Sequence, residues 1–135
     1  VYAQCPYISN LYGKENTELK SLTENDTYFL RVDMLGLMAS LYDGIESKNP
    51  IAWPYHADSS MLEGLPPHAI TVNELDPLRD EGIAYSEKLK KAGISVSAKT
   101  IKGTVHAAEN IFPVEIPEIH NQAIEDIKSF SYSLK

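Results

Sequence analysis

Residues 64–82 read Gly64-Leu-Pro-Pro-His68-Ala-Ile-Thr-Val-Asn-Glu-Leu75-Asp76-Pro77-Leu-Arg-Asp-Glu-Gly82. Residues 68–75 carry the apolar residues Ala69, Ile70, Val72 and Leu75 and end at turn-forming residues, which predicts a strand. Asp76-Pro77 then begins a helix, because proline is favoured at the first helical position, where its missing amide hydrogen would be unpaired anyway. A strand followed at once by a helix is the repeating unit of an α/β fold.

The alternation of strands and helices continues on both sides of this stretch. Along the chain we predict a buried strand at 1–8, a loop at 10–26, a largely buried helix at 28–42 and an irregular segment at 43–67. Further on we predict a half-exposed strand at 94–101, a loop at 102–115 and a helix that begins at Pro117. Gly93 is expected to end the helix that follows Asp76. The chain is therefore expected to form one α/β domain over residues 1–135, with a mostly parallel sheet of about three strands and helices on both faces.

The composition excludes several classes of protein. The chain has 135 residues, 43% of them hydrophobic, and a formal net charge of −7. It is neither collagen-like nor disordered, and its negative charge disfavours nucleic acid as a partner. Cys5 is the only cysteine, so no internal disulfide can form. The longest apolar stretch, 28–42, contains Arg31 and Asp33 and falls short of the roughly 20 residues of a membrane span. We expect a cytoplasmic protein without a membrane-spanning segment.

Two polar residues follow neighbouring strands of the predicted sheet. Asp76 comes directly after the strand at 68–75, and His106 lies in the loop after the strand at 94–101. Sites in parallel sheets lie beyond the carboxyl ends of the strands, where a carboxylate and an imidazole can act as the orienter and the base of a nucleophilic triad. Asp76 is equally suited to cap the following helix, and a single loop histidine often has no catalytic role. Spacing alone leaves these alternatives open.

Several motifs resemble the hormone-sensitive-lipase branch of the α/β-hydrolases. Its signature Asp-Pro-Leu-Arg-Asp-Glu-Gly is present unbroken at 76–82, and Gly103-Thr-Val-His106 is similar to its histidine loop. Further matches lie at 6–9, 24–29 and 49–55, and they are similar to the sub-branch that includes a bacterial brefeldin A esterase. The resemblance implies that the chain is the carboxyl-terminal part of an α/β-hydrolase fold, with Asp76 as the triad acid and His106 as the triad base.

The chain departs from that family pattern in two places. Ala107 follows the histidine where the family usually has glycine, so the shape of this loop is in question. No Gly-x-Ser-x-Gly and no His-Gly-Gly-Gly run occurs in the 135 residues, although the family uses them for the nucleophile and the oxyanion hole. Ser59-Ser60 lacks the glycines of a nucleophile elbow. Together with the apolar start at Val1, this predicts a fragment or processed chain whose nucleophile lies upstream.

The remaining candidates have weaker signals. Ile111 and Phe112 follow His106 closely and could form an apolar wall of an ester pocket or pack in the core. Trp53 could line that pocket or pack in the irregular segment. Cys5, in an apolar strand, is interpreted as an inert core residue. The other histidines lack the spacing of metal ligands, so we expect no metal and no cofactor; these are His56, His68 and His120.

Two functions remain open at this point. The first is a serine carboxylesterase or lipase that hydrolyses small to medium carboxylic esters, of which this chain is the acid–base half. The second is a truncated, non-catalytic remnant that binds a partner through its open sheet edge. In both cases we expect an amino-terminal half or a companion chain to pair with residues 1–8. Association into a homo-oligomer is left open.

Overall fold

A three-stranded parallel sheet forms the centre of the computed structural model, which describes residues 1–14 and 18–135. The strands are β1 (Tyr2–Gln4), β2 (His68–Asn73) and β3 (Val96–Ile101), in the order β1-β2-β3. Tyr2 lies opposite Ala69, and Ile70 lies opposite Ala98. Every residue of the central strand β2 is buried, whereas β3 lies at the edge and is largely exposed. The predicted three-stranded parallel sheet is confirmed.

Helices cover both faces of this sheet. They are α1 (Ser21–Glu24), α2 (Val32–Tyr42), α3 (Ser59–Leu62), α4 (Arg79–Lys91), α5 (Ala108–Ile111) and α6 (Pro117–Ser133), with a short 3-10 helix at Pro54–His56. Leu89 of α4 packs with Ile70 and Val72 on one face. Phe130 of α6 makes an edge-to-face contact with Tyr2, with ring centroids 5.8 Å apart. The α/β architecture with helices on both faces is therefore as predicted.

The first strand is shorter than the predicted 1–8, and its three residues are only partly buried, not buried as predicted. It ends at Gln4 because Cys5 takes a left-handed conformation with φ of 45° and Pro6 has no amide hydrogen for the sheet. The chain beyond it is held by the buried carboxyl group of Glu81, which accepts from the Ile8 amide at 2.7 Å and from the Ser9 hydroxyl. Residues 6–9 thus pass over α4 instead of continuing the strand.

The second helix differs from the predicted helix at 28–42. It begins at Val32, whose amide donates to Asp26 Oδ1 at 2.8 Å, so Asp26 caps it from six residues upstream. The prediction that it is largely buried is wrong, because only Leu35 and Ala39 are buried while Met34, Leu37, Met38 and Leu41 are each about half exposed or more. One face of the helix packs on Tyr12, and the opposite face lies on the surface of the described chain.

The segments predicted to be loops contain short helices. The predicted loop at 10–26 includes α1, and its residues 15–17 lie outside the described part of the chain. The 3-10 helix and α3 lie within 43–67, and α5 lies within 102–115. The helix after Asp76 starts only at Arg79. The residues between them form a turn, which is closed by the hydrogen bond from the Leu78 amide to Asp76 Oδ1 at 3.0 Å. Gly93, with φ of 79°, follows its end as predicted.

The buried Glu81 should make folding stability depend on pH. Burial, and to a smaller extent the charge of Asp76, raises the pKa of Glu81 to about 7, against hydrogen bonds that lower it. The folded chain then holds this proton more tightly than the unfolded chain, so stability falls as pH rises from about 4.5 to about 7. Relative to Glu81→Gln, the wild type should lose up to roughly 3 kcal/mol of unfolding free energy across that window.

Urea unfolding at a series of pH values measures this difference. Glu87→Gln is the control, because Glu87 lies on the exposed side of the same helix, where its side chain pairs with Lys90. A stability difference between wild type and Glu81→Gln that stays constant from pH 4.5 to pH 8 would contradict the assignment.

Candidate active site

The carboxyl ends of β2 and β3 bring Asp76 and His106 together. His106 Nδ1 lies 2.8 Å from Asp76 Oδ2, which is hydrogen-bond distance. The Asp76 side chain is fully buried, and the His106 side chain is 23% exposed. A carboxylate accepts only, so Nδ1 carries the hydrogen and donates it to Asp76. The structure thus places these two predicted residues in direct contact, although they are 30 positions apart in the sequence.

Asp76 is held by its own turn as well as by His106. Its Oδ1 accepts from the Leu78 amide, while its Oδ2 accepts from His106. Asn25 Nδ2 donates to the backbone oxygens of Glu74 and Asp76 at 3.0 and 3.1 Å. Asp76 therefore closes the turn before α4 with one carboxylate oxygen and meets His106 with the other, and it does not cap α4, which begins at Arg79.

The second ring nitrogen of His106 is available for chemistry. Within residues 1–14 and 18–135, Nε2 of His106 has no hydrogen-bond partner, and the ring is partly exposed. Because Nδ1 carries the hydrogen, the neutral ring has its lone pair on Nε2. An imidazole with this tautomer can accept a proton from a hydroxyl group placed beside it, while Asp76 stabilises the resulting imidazolium.

Ala107, the residue that departs from the family pattern, takes the backbone conformation that glycine favours. Its φ and ψ are 51° and 26°, in the left-handed region. The loop shape that was in question is thus a left-handed turn despite the alanine, and the Ala107 amide donates to Asn73 Oδ1 at 3.1 Å. A side chain with a Cβ is strained in this conformation.

Ala107→Gly should therefore stabilise the protein. The expected increase in unfolding free energy is on the order of 1 kcal/mol, because glycine adopts positive φ without the steric cost that alanine carries. Ala108→Gly is the matched control: Ala108 begins α5 in helical conformation, so glycine there should destabilise by a similar amount. Thermal or urea unfolding measures both, and a less stable Ala107→Gly protein would contradict the argument.

Polar groups behind the pair were not predicted as part of the site. Asn73 and Glu109 are fully buried, and Cys5 is 6% exposed and donates its S–H to Asn73 Oδ1 at 2.7 Å. The one feature of the sequence that indicates such a network is Asn73, because a polar side chain in a buried strand is normally hydrogen-bonded to other polar groups. Its partners Thr104 and Glu109 lie more than 30 residues away, and local pattern does not identify them.

A metal ion is disfavoured beside the pair. Ligand atoms of Cys5, Asp76 and His106 lie within 4.8 Å of one another. Burial, together with the charges of Asp76 and Glu109, raises the pKa of the Cys5 thiol to about 12, so the thiol keeps its hydrogen. The Asp76 and His106 atoms are already bonded to each other. Among the described residues, His56, His68 and His120 each bond a backbone oxygen and join no such group.

The remaining sequence candidates lie in different environments. Ile111 is 45% exposed, and Phe112 is half-buried in an edge-to-face contact with Phe29, with ring centroids 6.0 Å apart. Trp53 is fully buried against Tyr7 and Tyr42, which corresponds to the packing alternative. Ser59 and Ser60 are exposed at the start of α3.

Among the described residues, none of the helices has the length and the apolar character that a membrane span requires.

Known proteins resemble the chain over most of its length. A family model described as alpha/beta hydrolase fold matches residues 3–110. The chain is 45% identical to a solved brefeldin A esterase, described as a bacterial homologue of human hormone-sensitive lipase, with a TM-score of 0.93 over 96% of this chain and 38% of that one. It is 39% identical to Esterase LipI of Mycobacterium tuberculosis over 102 residues, which cover 74% of this chain and 31% of that protein.

A further relative is Lipase 2 of Moraxella sp., 36% identical over 90 residues, or 67% of this chain and 20% of that protein. The chain thus spans about a fifth to two fifths of the length of these relatives. The matched structures and sequences share a fold with this chain and are named as esterases or lipases.

Proposed function

Because the chain belongs to the hormone-sensitive-lipase branch of the alpha/beta-hydrolase family, we propose that it supplies the acid and base of a serine carboxylesterase. The observation that carries this proposal is the 2.8 Å contact between the buried Asp76 carboxylate and Nδ1 of the partly exposed His106. A buried carboxylate that orients an imidazole, with the outer ring nitrogen left open, is the acid–base half of a nucleophilic triad.

The proposed reaction uses a serine from outside these 135 residues. As its hydroxyl oxygen attacks the ester carbonyl, Nε2 of His106 takes the hydroxyl proton, and Asp76 stabilises the imidazolium. His106 then gives the proton to the leaving alcohol as the tetrahedral intermediate collapses to an acyl-enzyme. In the second half, His106 takes a proton from a water molecule as its oxygen attacks the acyl carbon. As this intermediate collapses, the bond to the serine oxygen breaks, His106 returns the proton to that oxygen, and the carboxylic acid is released.

The substrates we propose are small to medium carboxylic esters. Ile111 is the last residue of α5 and Phe112 follows it, and both leave apolar surface exposed or half-exposed. Phe29, itself 45% exposed, packs against Phe112 from the segment before α2. Exposed apolar side chains that follow the proposed base so closely in the chain favour an acyl or alkyl group over a charged one. We also propose a cytoplasmic location, since the single cysteine requires no oxidising compartment.

The first strand favours a partner that completes the sheet. β1 pairs with β2 along one edge, and the described residues contribute no strand to its other edge. Val1 is 51% exposed, and the three residues of β1 are only partly buried. An apolar strand with an open edge is a template for pairing. We propose that a segment or chain carrying the nucleophile pairs there, and that residues 1–135 together with that part form the complete protein.

Hydrolysis of a chromogenic short-chain ester tests whether activity needs both this chain, with its acid and base, and the part that carries the nucleophile. The 135-residue chain alone should show no turnover above the uncatalysed rate, because it contains no activated nucleophile. Adding the nucleophile-carrying part in trans, or assaying both in one polypeptide, should give turnover that depends on both parts. Turnover by the pure isolated chain would overturn the proposal, and so would a complete protein that hydrolyses no carboxylic ester.

A further inference from the structure

Asn73 is a fully buried amide whose hydrogen-bonding capacity is completely used. It is the last residue of β2, just before the turn that carries Asp76. Oδ1 accepts from Cys5 Sγ at 2.7 Å and from the Ala107 amide at 3.1 Å. Nδ2 donates to Thr104 Oγ1 at 2.8 Å and to Glu109 Oε2 at 2.9 Å. A side-chain amide offers two donors and two acceptor sites, so all four are satisfied here.

The partners of Asn73 determine which of its side-chain atoms donates and which accepts. Thr104 Oγ1 donates its own hydrogen to the Ile101 oxygen at 2.8 Å, so it can only accept from Asn73. The Ala107 amide can only donate, and Glu109 accepts. The orientation of the Asn73 amide therefore follows from its partners. A buried amide with every group paired holds those partners in one arrangement.

Three of the four hydrogen-bond partners of the Asn73 side chain are close to His106 in the sequence, one before it and two after it. Thr104 is two residues before it, Ala107 directly follows it, and Glu109 lies in α5 just beyond. The Asn73 side chain thus holds the backbone segment that carries His106 on both sides of the imidazole. The Asn73 backbone oxygen also accepts a hydrogen bond from the Asp76 amide at 3.3 Å. The same residue is connected to the acid and to the base of the pair.

We propose that Asn73 is a positioning residue that sets the His106 loop so that Nδ1 meets Asp76 and Nε2 faces the substrate. This inference rests on the proposed esterase function. Asn73 touches neither His106 nor the reacting atoms, and it acts through Thr104, Ala107 and Glu109. It also holds Ala107 in its left-handed conformation, because the Ala107 amide reaches Oδ1 from that turn.

The first test separates positioning from general stability. Asn73→Ala in the complete protein should lower kcat on a short-chain ester by about 10²-fold, the effect of a misplacement of about 1 Å at a reacting group. KM should stay within about twofold, because Asn73 does not contact the ester. Val72→Ala is the matched control: Val72 precedes Asn73 in β2, is equally buried and packs on the opposite face with Ile70 and Leu89. It should destabilise the protein without the kcat loss.

The second test removes the donor to Thr104 and then restores the contact to Glu109 with reversed polarity. Asn73→Asp faces Glu109 with a second carboxylate and should lose kcat as Asn73→Ala does. Adding Glu109→Gln supplies an amide that donates to the introduced carboxylate, so the double variant should recover at least about tenfold over Asn73→Asp. A residue that only fills space in the core predicts no such recovery, because both variants have nearly the same volume.

The third readout does not depend on turnover. The Nδ1 proton of His106, bonded to a buried carboxylate, should give a strongly downfield proton resonance in the complete protein. That resonance should persist in Val72→Ala, and it should broaden or shift upfield in Asn73→Ala.

Each outcome decides one of the two claims. An unchanged resonance and kcat in Asn73→Ala, or losses equalled by Val72→Ala, would overturn the positioning role. A wild-type protein without esterase turnover would overturn the proposed function, while the resonance comparison would still test Asn73. Recovery in the double variant together with an altered resonance in Asn73→Ala would support the proposal.

Discussion

Replacing His106 with alanine in the complete protein should reduce kcat on a short-chain ester by on the order of 10⁶-fold. The variant has no group placed to take the serine proton, and the serine hydroxyl alone is a weak nucleophile. KM should change little, because the imidazole acts on protons and is not proposed to hold the ester. Stopped assays with high enzyme concentration give the residual rate.

His68→Ala is the control for the loss of an imidazole. His68 lies at the opposite end of β2 from Asn73, where Nδ1 bonds the Pro66 oxygen. It should retain kcat within a few-fold of wild type. Wild-type turnover in the His106→Ala protein would refute its role as the base.

Replacing Asp76 with asparagine should reduce kcat by on the order of 10⁴-fold. The amide nitrogen introduced by this substitution would donate to His106 Nδ1, which moves the ring hydrogen to Nε2 and removes the lone pair that must accept the serine proton. Substrate affinity should be preserved, since the Asp76 carboxylate is fully buried and does not meet the ester.

Asp80→Asn tests whether any carboxylate of the same motif would have this effect. Asp80 bonds the Ser21 amide at 2.8 Å and the Arg79 side chain, and it has no contact with His106. Its variant should stay within about tenfold of wild type. Equal losses in the two variants would show that the motif supports folding and not catalysis.

The fold could be predicted where local chemistry determines it. The apolar run of β2, the turn at Asp76-Pro77 and the left-handed Gly93 lie within one stretch of chain, and each depends on its own neighbours. The burial of α2 could not be predicted in the same way. Its apolar residues show what the helix can bury, whereas Met34 and Leu41 are exposed because burial depends on what packs against them.

The sequence was enough to predict the two central residues of the site, and it was not enough to predict the residues that hold them in place. Strand ends indicated where Asp76 and His106 would lie, and the family resemblance indicated their pairing. The residues that hold them were missed, because Asn73 and Asn25 bond groups far away in the sequence. The sequence around Cys5 predicts an inert core residue. It is buried, but the left-handed turn that ends β1 places it beside the pair.

Labelling with a fluorophosphonate shows whether His106 activates a serine that lies outside this chain. Such a reagent forms a bond between phosphorus and a serine oxygen that a neighbouring imidazole has activated; fluoride leaves, and the imidazole takes the serine proton. Peptide mass mapping of the labelled complete protein should show one adduct, on a serine outside residues 1–135, and the adduct should be lost in His106→Ala. An adduct on Ser59, Ser60 or another serine of this chain, or labelling that persists in His106→Ala, would contradict the account.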